Sequence, residues 1–223
     1  MKFKKVLLPV IFVTLTAVIT ACSNGDDYTT NETRNRFPLA DMSEYNIEDT
    51  HRFFWVTMYE ALALREDATF DGIIYFGFPS CPWCQSAIPV MHQISQETGT
   101  DIFYVSRARE IRDELFEVHD SKMALWLNDQ IELSWLYDED GKPLRPNITV
   151  PQIIHLRGGV VVDSHRGTFE GHNQIESEGY ELILPELTAL EYTELADIYT
   201  RIFSAVSSDD GCEIITIEED GCS

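Results

Sequence analysis

The chain has 223 residues, 44% of them hydrophobic, and is long enough to bury a sizeable core in one domain. Against 16 basic residues stand 38 acidic ones, a formal net charge of −22 that argues against nucleic acid as a partner, since phosphate contacts need clustered Lys and Arg. Six histidines are scattered along the chain, and five cysteines leave both disulfide and thiol chemistry open.

Met1-Lys2-Phe3-Lys4-Lys5 is basic, and Val6 to Thr20 is an apolar and hydroxyl-rich run too short to span a bilayer comfortably as a mature helix. Residues 1–21 therefore read as a secretion signal. The stretch Ile19-Thr20-Ala21-Cys22 resembles the bacterial lipobox, in which small residues precede a cysteine that becomes the lipidated first residue of the mature chain. Cys22 is then an anchor, and the expected location is the cell membrane, lipid-anchored on its extracytoplasmic face. The alternative is an uncleaved signal anchor with an incidental cysteine. Loss of Lys2, Lys4 and Lys5 with the leader leaves 13 basic residues against 38 acidic, a mature balance of −25. Such a surface keeps the domain soluble and is repelled by anionic lipid. Residues 23–36 are polar and lack an apolar period, so the segment 22–40 reads as a tether to a domain spanning 41–206.

From Tyr45 to Leu64, apolar residues including Phe53, Phe54, Val56, Tyr59 and Leu62 recur at roughly helical spacing, with Asp49 and Thr50 available as caps. The unbroken apolar run Ile73 to Phe78 suits a strand buried on both faces, here expected over Gly72 to Phe78. It leads directly into Phe78-Pro79-Ser80-Cys81-Pro82-Trp83-Cys84, two cysteines two residues apart at the start of a predicted helix, Pro82 to Gln96. A helix N-terminus carries unpaired N–H groups and partial positive charge, so a thiolate placed there is stabilised. Cys81 is the expected nucleophile, and Cys84, one turn further in, closes a disulfide with it or resolves a mixed disulfide with a substrate. The other reading of Cys-x-x-Cys is half of a zinc site, but no second Cys-x-x-Cys or His-x-x-x-His follows.

Pro89 is placed to kink this helix, Gly99 stops it, and Asp101 to Val105 reads as the next strand, which completes a βαβ unit. Residues 109–148 suggest helices at Glu110 to Val118 and Ser121 to Leu127, a strand Leu133 to Tyr137, and a plain turn at Asp138-Glu139-Asp140-Gly141 that lacks calcium-loop spacing. Trp126, Trp135 and Tyr137 are expected in the core, with part of a client-binding surface as the alternative. Thr149-Val150-Pro151 then opens two apolar runs, Gln152 to Leu156 and Val160 to Val162, joined by Arg157-Gly158-Gly159; His155 and His165 read as satisfied surface histidines, with a pair facing each other across the hairpin as the alternative. His92, two turns beyond Cys84, is too far along the helix to share a metal with the pair, so no metal site is expected. A last helix near Glu186 to Val206 turns Leu187, Leu190, Leu195, Ile198, Tyr199 and Ile202 to one face. In the tail, 207–223, Cys212 and Cys222 sit in repeated Asp-Gly-Cys triplets. A structural disulfide closing this tail is the favoured reading, and a second redox couple the alternative.

The order strand, CxxC, proline-bearing helix, then Val-Pro opening a β-hairpin resembles the thioredoxin superfamily over roughly residues 70 to 170. The resemblance implies an α/β fold with a central mixed sheet flanked by helices, interrupted here by a helical insertion ahead of the Pro151 strand. It also implies a cis peptide bond before Pro151, with the backbone of Val150 beside the dithiol and available to an extended substrate peptide, while Pro82 and Trp83 tune exposure and redox poise. Two departures stand out. Thioredoxins usually carry Trp before the first cysteine and a buried acid six residues before it, where this chain has Ser80 and Tyr75, so the proton acceptor for Cys84 is unassigned. Pro82-Trp83 is closer to the Pro-Tyr of glutaredoxins or the Pro-His of oxidising periplasmic enzymes than to the Gly-Pro of thioredoxins. The chain is also loosely similar to thioredoxin-like accessory proteins encoded with bacteriocin exporters in Gram-positive bacteria.

The resulting expectation is a tethered extracytoplasmic thiol-disulfide oxidoreductase acting on thiols or disulfides of exported proteins or peptides, recycled by a redox partner and needing no organic cofactor. Two alternatives come from other classes: a non-catalytic module that binds a secreted peptide or exporter component, and a metallochaperone for a soft ion such as Cu(I).

Overall fold

Ile73, Ile74, Tyr75 and Phe76 are all fully buried, which requires cover on both faces of the strand they form. In the computed structural model of the chain, which describes residues 35–47, 50–106, 115–176 and 182–206, that strand is β2 (Asp71–Gly77), the centre of a five-stranded sheet. Its neighbours are β3 (Ile102–Ser106), parallel, and β6 (Gln152–Arg157), antiparallel. Beyond β3 lies the short parallel strand β1 (Phe53–Trp55), and beyond β6 its antiparallel hairpin partner β7 (Val160–Arg166), so the order is β1-β3-β2-β6-β7. The chain is therefore α/β with a mixed sheet.

Helices cover both faces. Ile73 and Tyr75 point into one cluster, with Ala87, Ile88 and Met91 of α2 (Pro82–Thr98) and Leu195, Tyr199 and Ile202 of α4 (Ala189–Ser204). Ile74 and Phe76 point into the other, with Ala61 and Leu64 of α1 (Met58–Glu66) and Met123 and Leu127 of α3 (Phe116–Gln130). The alternation along β2 thus builds two cores from one strand. All described residues belong to the unit 27–211; the second unit, residues 1–26 with 212–223, lies outside them. Cys22, Cys212 and Cys222, the signal, and the tail 207–223 accordingly fall outside the described residues. Among the described residues no helix is long and apolar enough to cross a membrane.

Several expectations are corrected. The segment read as one helix from Tyr45 to Leu64 is instead a 3₁₀ turn (Ser43–Tyr45), strand β1, and helix α1. Edge pairing decides this: Phe53 and Phe54 align with Ile102 and Phe103, while α1 starts only at Thr57, whose side chain accepts from the Glu60 N–H as Glu60 accepts from the Thr57 N–H. Packing also begins ahead of residue 41, because Phe37 and Ala40 are buried and Ala40 donates to the Phe53 carbonyl. The described part of the insertion is one helix, α3, followed by the hairpin β4 (Ser134–Tyr137) and β5 (Pro143–Asn147); residues 107–114 lie outside the described residues. Trp126 packs against the core, but Trp135 and Tyr137 are exposed on that two-stranded hairpin, which meets α3 through β5 while all four residues of β4 stay exposed. Leu190 is exposed as well, since α4 turns Leu195, Tyr199, Ile202 and Phe203 inward. His155 does not face His165: it stands opposite Asp163, fully buried, with Nε2 2.6 Å from Asp71. The pair β8 (Ile175–Glu176) and β9 (Leu182–Ile183) carried no signal in the sequence.

Candidate active site

Where β2 ends, the chain turns once, with the Cys81 N–H bonded to the Phe78 carbonyl at 3.1 Å, and enters α2. Cys81 is the N-cap of that helix. Its extended backbone (φ −85°, ψ 116°) directs the sulfur back over the first turn, where it accepts the Cys84 N–H at 3.3 Å. Pro82 at the first helical position costs nothing, because that N–H would have had no intrahelical acceptor. Gln85 fastens the approach, donating from Nε2 to the Pro79 carbonyl at 2.7 Å and the Glu44 carbonyl at 3.1 Å.

Both cysteines are free thiols and both are buried; Cys81 retains 4% exposure and Cys84 none. The accessible sulfur is therefore the one at the helix cap. A hydrogen bond from the Cys84 thiol, aided by the N–H groups of Cys84 and Trp83, lowers the Cys81 pKa to about 7 against the opposing effect of burial. The same thiol–thiol contact, with burial, pushes Cys84 strongly upward. The pair is thus polarised into a thiolate at the rim and a protonated thiol behind it.

The second wall comes from the hairpin β6–β7. The Val150–Pro151 peptide bond is cis, as the resemblance implied, and the Val150 carbonyl lies 4.0 Å from the Cys81 sulfur. Pro151 is buried, its carbonyl accepting the Gly167 N–H at 2.8 Å, which ties the Val150–Pro151 corner to the end of β7. Pro82 is exposed, and Trp83 is half-buried with its Nε1 donating to the His172 carbonyl at 2.9 Å. Cys81, Cys84, Pro82, Trp83, Val150 and Pro151 are thereby brought to one place. Cys22, Cys212 and Cys222, the expected anchor and tail disulfide, lie outside the described residues.

No protein-family model matches the chain, and no curated protein matches it.

Sequence reasoning missed two supports of this site. His172 is buried, with Nε2 bonded to the Pro185 carbonyl at 2.6 Å and Nδ1 to the Thr168 hydroxyl at 2.7 Å. A carbonyl only accepts, so Nε2 donates, and a neutral ring then accepts at Nδ1 from Thr168. It holds the loop whose backbone meets Trp83 from 89 residues away, and no local pattern encodes that contact. The other support is a set of tyrosines behind the dithiol. Tyr75 and Tyr104 stack at 5.4 Å, and the hydroxyls of Tyr104 and Tyr45 lie 3.1 Å apart. Burial raises the pKa of all three, so each stays a neutral phenol. Alternation along β2 places Tyr75 on the Cys84 side and was readable; the partner strands were not. Among the described residues no group of three His, Cys, Asp or Glu side chains converges as metal ligands would.

Chemically, the arrangement offers one ionised sulfur able to attack a disulfide, a second thiol in contact with it, and a neighbouring backbone carbonyl. It can form a mixed disulfide and release it.

Proposed function

We propose that this chain is a thiol-disulfide oxidoreductase with a thioredoxin-like fold, tethered through a lipidated Cys22 to the extracytoplasmic face of the membrane and acting on exported proteins or peptides. The observation that carries the reading is the polarised pair: Cys81 at the cap of α2, its pKa near 7, with the protonated Cys84 thiol directly behind it. In the reducing direction, the Cys81 thiolate attacks a client disulfide, forming one S–S bond as another breaks and the departing client sulfur takes a proton. Cys84 then loses its proton and attacks Cys81, which releases the second client sulfur as a thiol and leaves the Cys81–Cys84 disulfide. A redox partner returns two electrons and two protons. The oxidising direction is the reverse. The exposed edge at Pro82 and the Val150 backbone are where the client chain lies.

The support for the thioredoxin-like fold is the order of parts: central strand β2, dithiol at the start of α2, parallel β3, then β6 and β7 entered through Val150-Pro151. The test is the reduction potential of Cys81/Cys84 in the chain with Cys22, Cys212 and Cys222 replaced by serine, so that one couple is observed. A value near −270 mV, as for thioredoxin, assigns a reductase, and one near −120 mV a disulfide-introducing oxidase. Absence of a reversible couple overturns the catalytic reading.

A further inference from the structure

The Tyr75 side chain is fully buried on the face of β2 that packs against α2, and its ring runs along the strand toward the dithiol. Gly77, two residues on along the same face, makes this possible: a Cβ there would overlap the Tyr75 hydroxyl. The hydroxyl is thus parked over the glycine backbone at the carboxyl end of β2, level with Cys84. It meets no partner in full hydrogen-bond geometry, although the other two phenols of the cluster, Tyr45 and Tyr104, lie hydroxyl to hydroxyl. A buried hydroxyl left in this state is costly unless a charge or acceptor appears beside it during function. The group beside it is the Cys84 sulfur, whose proton affinity the Tyr75 hydroxyl lowers.

We propose that Tyr75 is the positioning donor for the second sulfur of the pair, its hydroxyl closing a hydrogen bond onto Cys84 whenever that sulfur carries negative charge. The inference rests on the reading that Cys81 and Cys84 cycle between dithiol and disulfide. Tyr75 does not take the Cys84 proton. When Cys84 attacks the Cys81–client disulfide, its S–H bond breaks, the Cys84–Cys81 bond forms, the Cys81–client bond breaks, and the proton count is restored on the released client thiol. The phenol O–H holds the charge that Cys84 bears between those events, and a donor already in place needs no reorganisation to do so.

The donor also acts on the equilibrium. In the dithiol form the Cys84 thiol donates to the Cys81 thiolate, which leaves the Cys84 sulfur richer in charge and a better acceptor for the Tyr75 hydroxyl. In the disulfide form neither sulfur is charged and both are poor acceptors, so the buried hydroxyl loses its partner. Tyr75 therefore favours the reduced pair and makes the disulfide form the stronger oxidant.

The experiment is equilibration of the full chain, with Cys22, Cys212 and Cys222 replaced by serine, in a graded series of reduced and oxidised glutathione. Tyr75, Tyr75→Phe and Tyr104→Phe forms are compared. Tyr75→Phe is expected to move the equilibrium about tenfold toward the disulfide, a fall of about 30 mV. Gly77→Ala, which displaces the hydroxyl without removing it, is expected to move it the same way. Tyr104→Phe, whose hydroxyl bonds Tyr45 and not a thiol, is expected to stay within twofold. A purely structural tyrosine would change stability in both redox forms alike and leave the potential where it was. A Tyr75→Phe equilibrium within twofold of the parent overturns this inference while leaving the oxidoreductase reading intact. Failure of the parent to show any glutathione-dependent couple overturns both.

Discussion

Near pH 7 the Cys81 sulfur is about half ionised, because a neighbouring thiol and two N–H groups outweigh the cost of burying charge. Alkylation of Cys81 by iodoacetamide should therefore follow a single titration with a midpoint near 7, well below that of an ordinary thiol, and Cys84→Ala should move the midpoint upward by removing the strongest donor. The same shift has a stability consequence. A group whose folded pKa is depressed contributes stability that is present above its unfolded pKa, here 9.0, and lost as pH falls through its folded value of about 7. Reduced protein should gain resistance to urea between pH 7 and 9 relative to Cys81→Ser. At this scale much was legible in the sequence: Cys-x-x-Cys at a helix start implies a polarised pair from the helix terminus alone. Tyr75 and Gly77 were not legible as a unit, since their relation depends on the ring lying along β2 over the glycine.

Among the elements, α1 shows where periodicity misleads. Phe53, Phe54, Val56 and Leu62 fit a helical stripe, yet the first two belong to an edge strand that follows β3 in parallel register. Short apolar runs satisfy both periods, and only pairing with β3 chose between them. The capping box at Thr57 and Glu60 then fixes where the helix begins. Thr57→Ala should cost about 1 kcal/mol of stability, read from the urea unfolding midpoint, with no effect on the Cys81 titration because α1 lies on the opposite face of the sheet. In the insertion, Arg145 of β5 reaches Asp120 of α3 at 2.6 Å and ties the exposed hairpin to the domain, a long-range pair that no spacing announces. Helix α2 was the most predictable element, since Pro82 at its first position and Gly99 at its C-cap (φ 71°) are local signals.

For the molecule as a whole, the packing of helices on both faces of the sheet sets which groups surround the dithiol, while the proposed location rests on the leader sequence. If Cys22 is the anchor proposed above, Cys22→Ser should move the protein from the membrane fraction to the soluble fraction without changing the Cys81 titration, which fractionation and alkylation together would check. Trp83 is the point where the dithiol helix meets the loop that carries His172. Trp83→Phe removes the donor to the His172 carbonyl, and hydrogen exchange across residues 168–176 should quicken by about fivefold for the loss of one hydrogen bond. By itself the sequence determined the helix that carries the dithiol, the strand that leads into it, and which cysteine stands at the helix start, because those depend on groups within one turn of each other. Only the tertiary structure decided that the His172 loop meets Trp83, that the Tyr75 hydroxyl lies over Gly77 beside the pair, and that the Val150 backbone stands where the resemblance had put it. Their placement follows from β6 lying beside β2, from α2 packing over Tyr75, and from a loop returning to Trp83, and contacts of that kind are created by the packing of distant segments, which no local spacing records.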